Sequence, residues 1–97
     1  DTELSRGSLQ RMQTCLQSSR SIATVTPWSN NGEIVSIPNF CASNPLPPDP
    51  DAVADAIASC GSPIYPEMPT AVGFCMAVSR IAIEKLGLFD EQTFGKG

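Results

Sequence analysis

The chain has 97 residues, 41% of them apolar, and a formal charge of −4 at pH 7. That is enough apolar matter for a modest core, and the acidic balance argues against nucleic acid or an anionic membrane surface as the main partner. No stretch approaches the roughly 18 apolar residues of a spanning helix, and the absence of histidine removes the commonest general base and the usual nitrogen ligand of zinc.

The opening "DTELSRGSLQ" is too polar for a signal peptide and lacks an initiator methionine, so the N-terminus is expected to be a cut end. The segment "RGSLQRMQTCLQSS" then sets Leu9, Met12, Cys15 and Leu16 on one helical stripe, with glutamine and arginine on the other face. Residues 19–21 end this helix, and "SIATVT" (residues 21–26) is expected as a short strand rich in β-branched residues. A helix feeding a strand so quickly is an α/β signature. In "PWSNNGEIVSIPNF", Asn-Asn-Gly signals a turn and "EIVSI" alternates well enough for a brief minor strand. Pro27 and Pro38 bound this piece as an irregular surface excursion, and the tract "NPLPPDP" is extended and proline-stiffened.

A second helix is expected to start with Asp49 as N-cap and Pro50 at the first helical position. Val53, Ile57 and Cys60 form its inner stripe, and Gly61 supplies the stop. "SPIYPEMP" is too rich in proline for helix or sheet interior. "TAVGFCMAVS" is a near-continuous apolar run, which predicts a strand buried on both faces with Cys75 and Met76 as core filling. A third helix, "RIAIEKLG", closes at Gly87. The chain stops on "GLFDEQTFGKG", a helix exit followed by a second glycine-rich turn in which Asp90 and Glu91 read as turn residues. These pieces predict an α/β fold of two or three strands with three helices. So few strands cannot make a sheet buried on both faces, so the chain is expected to supply part of a larger sheet.

The four cysteines, Cys15, Cys41, Cys60 and Cys75, include no close pair, which argues against a structural zinc site. Their number leaves two disulfides open. Their small and apolar neighbours favour buried free thiols in a reducing cytosol.

Three stretches carry a resemblance: "DTEL" ahead of a helix, then "VTPWSNNGEIVSIPNF", then "PTAVGFCMAVSRIAIEKLGLFDEQTFGKG". In that order they resemble the middle of family 2 glycosyltransferases, which have the GT-A fold. The most specific piece is residues 69–97, where Pro-Thr-x-x-Gly-Phe-Cys-Met is followed by a helix and then Gly-Leu-Phe-Asp-Glu-x-x-Phe-x-x-Gly. The resemblance covers nearly the whole chain and implies that residues 1–97 form one partial GT-A (nucleotide-diphospho-sugar transferase-like) fragment of a larger catalytic domain.

The resemblance also implies a chemistry and roles for particular residues. Asp1 matches the last aspartate of the family's Asp-x-Asp-like motif, and so would ligate Mg2+ or Mn2+ in the parent enzyme. The catalytic base belongs to a Gly-Glu-Glu-x-Asp motif expected beyond Gly97, so no catalytic residue is expected in this chain, and the fragment alone is expected to be inactive and to hold no metal. The parent would transfer a sugar from a nucleotide sugar to a hydroxyl acceptor with inversion: the metal neutralises the diphosphate leaving group while a carboxylate takes the acceptor's proton. Trp28, Asn30 and Asn31 are candidate sugar or acceptor contacts, because an indole face packs on the C–H surface of a pyranose and amides offer paired donors and acceptors. Thr70 and Gly73 join them, because the family's fold brings this backbone close to the acceptor cleft. The implied partners are a nucleotide sugar and a glycan or lipid-linked acceptor, in cell-surface polysaccharide or glycolipid assembly. The implied location is cytoplasmic, at most peripheral to the inner membrane. A different class of reading is a small acidic α/β module that binds a protein, or itself, without catalysis. In either case an exposed apolar sheet edge predicts self-association of the isolated chain.

Overall fold

A computed structural model describes residues 2–95. Asp1, the residue implied for the metal, lies outside them. Four α-helices, one 3-10 turn and a two-stranded antiparallel sheet make a small mixed α/β chain.

Helix α1 (Ser8–Ser18) turns Met12 and Cys15 inward, one helical turn apart, and packs on β1 (Thr24–Val25). Leu9, on the same stripe but at the free end, stays exposed. Strand β1 pairs antiparallel with β2 (Ala77–Val78), Thr24 opposite Val78 and Val25 opposite Ala77. The ladder is extended by the Ser79 N–H, which donates to the Ala23 carbonyl at 2.8 Å. The Ser79 hydroxyl then accepts from the Ala82 N–H at 3.1 Å, so the residue that closes the sheet also caps α3 (Arg80–Leu86). Helix α3 stops at Gly87, whose φ of 85° is a conformation that glycine adopts without a Cβ penalty. Asp90 caps the short α4 (Glu91–Phe94) by accepting from the Thr93 N–H at 2.9 Å. Helix α2 (Pro50–Ser59) starts where the sequence predicts, with Pro50 in its first turn and Asp49 Oδ1 accepting from the Ala52 N–H at 3.0 Å.

Several expectations are corrected. The helices number four rather than three among the described residues, whereas the two strands fall within the two or three expected. The strand expected over residues 21–26 is confined to Thr24–Val25. "EIVSI" is not a strand but a 3-10 turn, Glu33–Val35, because its N–H groups find partners inside the loop: Val35 donates to the Gly32 carbonyl and Ser36 to the Glu33 carbonyl, both at 3.0 Å. Glu33 has a φ of 52°, outside the β region, and the one trace of sheet pairing is an isolated parallel bridge between Ser29 and Ser36.

The apolar run 70–79 contributes only Ala77–Val78 to the sheet, since a turn at Gly73 and Phe74 interrupts it and β2 has β1 as its one neighbour. Cys75 and Met76 are accordingly half-buried rather than core. The inner stripe expected on α2 is not buried: Val53, Ile57 and Cys60 are all exposed. All four cysteines are free thiols. Cys15 is buried and Cys75 half-buried, whereas Cys41 and Cys60 are exposed, so the buried-thiol reading fails for the latter two.

Among the described residues, the buried apolar ones are Met12, Cys15 and Val35. The radius of gyration is 14.5 Å, above the ~13 Å of a compact chain of about this length. Phe89 and Phe94 remain 75% and 80% exposed, consistent with a sheet and helices that do not enclose one another.

Candidate functional site

Trp28, Asn30 and Asn31 lie in the loop that follows β1. Ser29 organises its first half: its N–H donates to the Val35 carbonyl at 3.0 Å, its carbonyl accepts from the Ile37 N–H at 2.9 Å, and its hydroxyl accepts from the Asn31 N–H at 3.2 Å. The buried Ser36 hydroxyl accepts from the Gly32 N–H at 3.0 Å. Gly32 is required by space, not by its φ of −141°. A Cβ there would lie 2.8 Å from Val35 Cγ2, 3.0 Å from Ser29 Cβ and 3.1 Å from Phe74 Cε1.

Asn44 closes the second half of the loop. Its backbone N–H donates to the Asn30 carbonyl at 2.8 Å. Its side-chain oxygen accepts from both the backbone and the side chain of Asn39, at 3.1 and 2.9 Å. Its side-chain nitrogen has the carbonyls of Asn30, Asn39 and Ala42 within 3.2, 3.0 and 3.1 Å. Two N–H bonds serve three acceptors, so one is shared, and the carboxamide is fully engaged although only 4% exposed.

This scaffold sorts the candidates. Trp28 stands half-exposed. Asn30 points inward: its Nδ2 donates to the Asn44 carbonyl at 3.0 Å, so its amide nitrogen holds the loop. Asn31 is exposed, and among the described residues its side chain makes no hydrogen bond. The segment bearing Thr70 and Gly73 is drawn alongside by the Val72 N–H, which donates to the Thr26 hydroxyl at 3.2 Å, and by Phe74, whose ring borders Gly32. Thr70 is exposed and donates to the neighbouring Ala71 carbonyl at 3.2 Å. Gly73 is exposed too, and a Cβ built on it meets no atom within 4 Å, so close packing does not account for its glycine here.

Sequence reasoning missed Thr26, Ser36 and Asn44, the residues that set this geometry. Asn44 precedes Pro45, and Asn-Pro favours turn initiation, a signal that marks a loop but not a buried hub. A shallow hollow of about 610 Å3 lies over Leu88, Phe89, Asp90, Glu91 and Gln92, and its lining includes none of the candidate residues. The Trp28 loop has the better claim, because its polar groups are placed by a bonded scaffold and those of the hollow by one short helix.

As for the implied metal, among the described residues no three His, Cys, Asp or Glu side chains converge. No described helix is long and apolar enough to cross a membrane. Comparison with protein-family models, curated proteins and solved structures gave no match.

Proposed function

We propose that the chain is the acceptor-side segment of an inverting family 2 glycosyltransferase of GT-A fold, and that the Trp28 loop contributes to the acceptor cleft. The observation that carries this reading is the order and spacing of "VTPWSNN", "PTAVGFCM" and "GLFDEQTFGKG". It is supported by the contact between the first two stretches, where Thr26 accepts from the Val72 N–H across 46 residues of chain. In this reading Trp28 offers an apolar face to a sugar ring, the Asn31 carboxamide bonds its hydroxyls, and Asn30 with Asn44 holds both in place. Donor binding, the metal's remaining ligands and the proton-accepting base belong to the parent outside this chain.

The test is a calorimetric titration of UDP- and dTDP-sugars with Mn2+ into the product of the full open reading frame that encodes the chain. Saturable binding is expected, and Trp28→Ala is expected to lower acceptor-dependent turnover while leaving donor binding intact. A parent that binds no nucleotide sugar overturns the reading.

A second reading, an interaction module, draws on the exposed Leu86, Leu88, Phe89 and Phe94. It is favoured if the parent binds no nucleotide and sedimentation shows the chain as a dimer. A stable monomer counts against it.

A further inference from the structure

Helix α2 lies between stretches that hold on to little. It is reached from the buried Asn44 through the prolines of residues 45–48, and residues 61–70 after it are all exposed. Residues 61–69 make no hydrogen bond to the rest of the described chain. The helix itself buries no residue, with Val53 and Ile57 left 42% and 50% exposed. It is nevertheless tied down at two points. Asp51 Oδ1 accepts from the Arg6 backbone N–H at 2.6 Å, and Asp51 Oδ2 faces the Arg6 guanidinium at 3.3 Å. One turn along the same face, Asp55 Oδ1 meets the Arg11 guanidinium at 3.5 Å. Arg11 also donates to the Arg6 carbonyl at 3.2 Å, so the two basic residues brace each other. Among the described residues, these are the hydrogen bonds and ion pairs that join α2 to the rest.

We propose that α2 is a hinged strap, closed by a two-rung electrostatic latch of Arg6–Asp51 and Arg11–Asp55 and opened by ionic strength. No residue of the strap is fully buried, and the contacts that tie it to the rest of the described chain are charged. Exposed pairs of this kind shift an equilibrium by only about two- to five-fold and are screened by salt, which leaves the latch poised rather than locked. The Asp51 rung is the more directional. The Arg6 backbone N–H, ahead of the guanidinium, holds its carboxyl below the ordinary carboxylate range. Closure fixes the backbone at Arg6, immediately before α1. An opened α2 loses more than its contacts, because a helix of ten residues is marginal in water on its own. The inference stands apart from the transferase reading and does not need it.

The test is hydrogen exchange on the full chain at low salt and at about 1 M NaCl, where the Debye length falls to about 3 Å. Amides of residues 54–59 are expected to exchange about five-fold faster in high salt, while those of residues 13–18 in α1 change little. Asp51→Asn and Asp55→Asn should raise α2 exchange at low salt and flatten its salt dependence. Exchanging the charges, Arg11→Asp with Asp55→Arg, should restore both. Salt-independent exchange in α2 overturns the proposal, as does salt dependence that survives the double variant Asp51→Asn with Asp55→Asn. Acceleration of α1 and α2 together also overturns it, since α2 would then belong to one cooperative unit. So does an α1 unprotected at low salt, which would leave the latch no body to close on.

Discussion

Asn30 and Asn44 hold each other. The side-chain amide of Asn30 donates to the Asn44 carbonyl at 3.0 Å, and that of Asn44 donates to the Asn30 carbonyl at 3.2 Å. The pair makes a ring of the loop that carries Trp28. Truncation by Asn44→Ala leaves the Asn39 N–H and the Asn39 and Ala42 carbonyls without these partners in a part-buried setting, which costs about 1–3 kcal/mol. Trp28 is the one tryptophan of the chain and reports directly on the loop. Its emission in urea should show an earlier transition in Asn44→Ala, and an unchanged midpoint would remove Asn44 as the hub.

The two glycines near the site should respond oppositely to alanine. Gly32→Ala forces a Cβ to within 2.8 Å of Val35 Cγ2, an overpacking that costs about 1–3 kcal/mol. Gly73→Ala meets open space and should leave stability within about 0.5 kcal/mol of the parent. Chemical denaturation of the two variants side by side checks both.

Asp90 makes the last helix acid-sensitive. Its hydrogen bond with Thr93 lowers its pKa from the ordinary 3.8. A carboxyl depressed in the folded state adds stability above its unfolded value and loses it as pH falls through the folded value. Helix α4 should therefore be capped at neutral pH and fray in acid below 3.8, followed by the Thr93 amide shift in NMR. Asp90→Asn keeps a capping oxygen and should remove this pH dependence.

The thiols should react in an order set by exposure. Cys41 and Cys60 are exposed and should be alkylated first, with Cys75 after them. Burial pushes the Cys15 thiol up, so it carries less thiolate as well as less access, and should react only as α1 opens. Mass mapping of timed iodoacetamide labelling reads the order directly. A Cys15 labelled as fast as Cys60 would contradict the packing of α1 on β1.

The features legible in the sequence are those decided within a few residues. Asp49 before Pro50 and Gly87 after "EKL" announce helix ends because capping is a local hydrogen-bonding matter. The Met12 and Cys15 stripe is legible because its periodicity is local and α1 packs on β1, the next element in the chain. Burial that needs a distant partner is not legible: "TAVGFCMAVS" has the composition of a central strand, yet β1 is the one strand paired with it among the described residues, and Val53 with Ile57 forms a stripe that stays exposed. In the candidate site, Trp28 and the asparagine turn are legible as chemistry, whereas the Asn44 hub is not, because its five side-chain hydrogen bonds depend on where the loop returns.

The exposed stretch from 61 to 70 has one more consequence. A protease should nick the chain there first, at residues that carry no tertiary hydrogen bond. The two peptides would still share the Thr24–Val78 and Val25–Ala77 pairing, the Ser79–Ala23 bond and the Val72–Thr26 bond. The chain is thus expected to tolerate a break at this point, as two halves that reassemble by complementation.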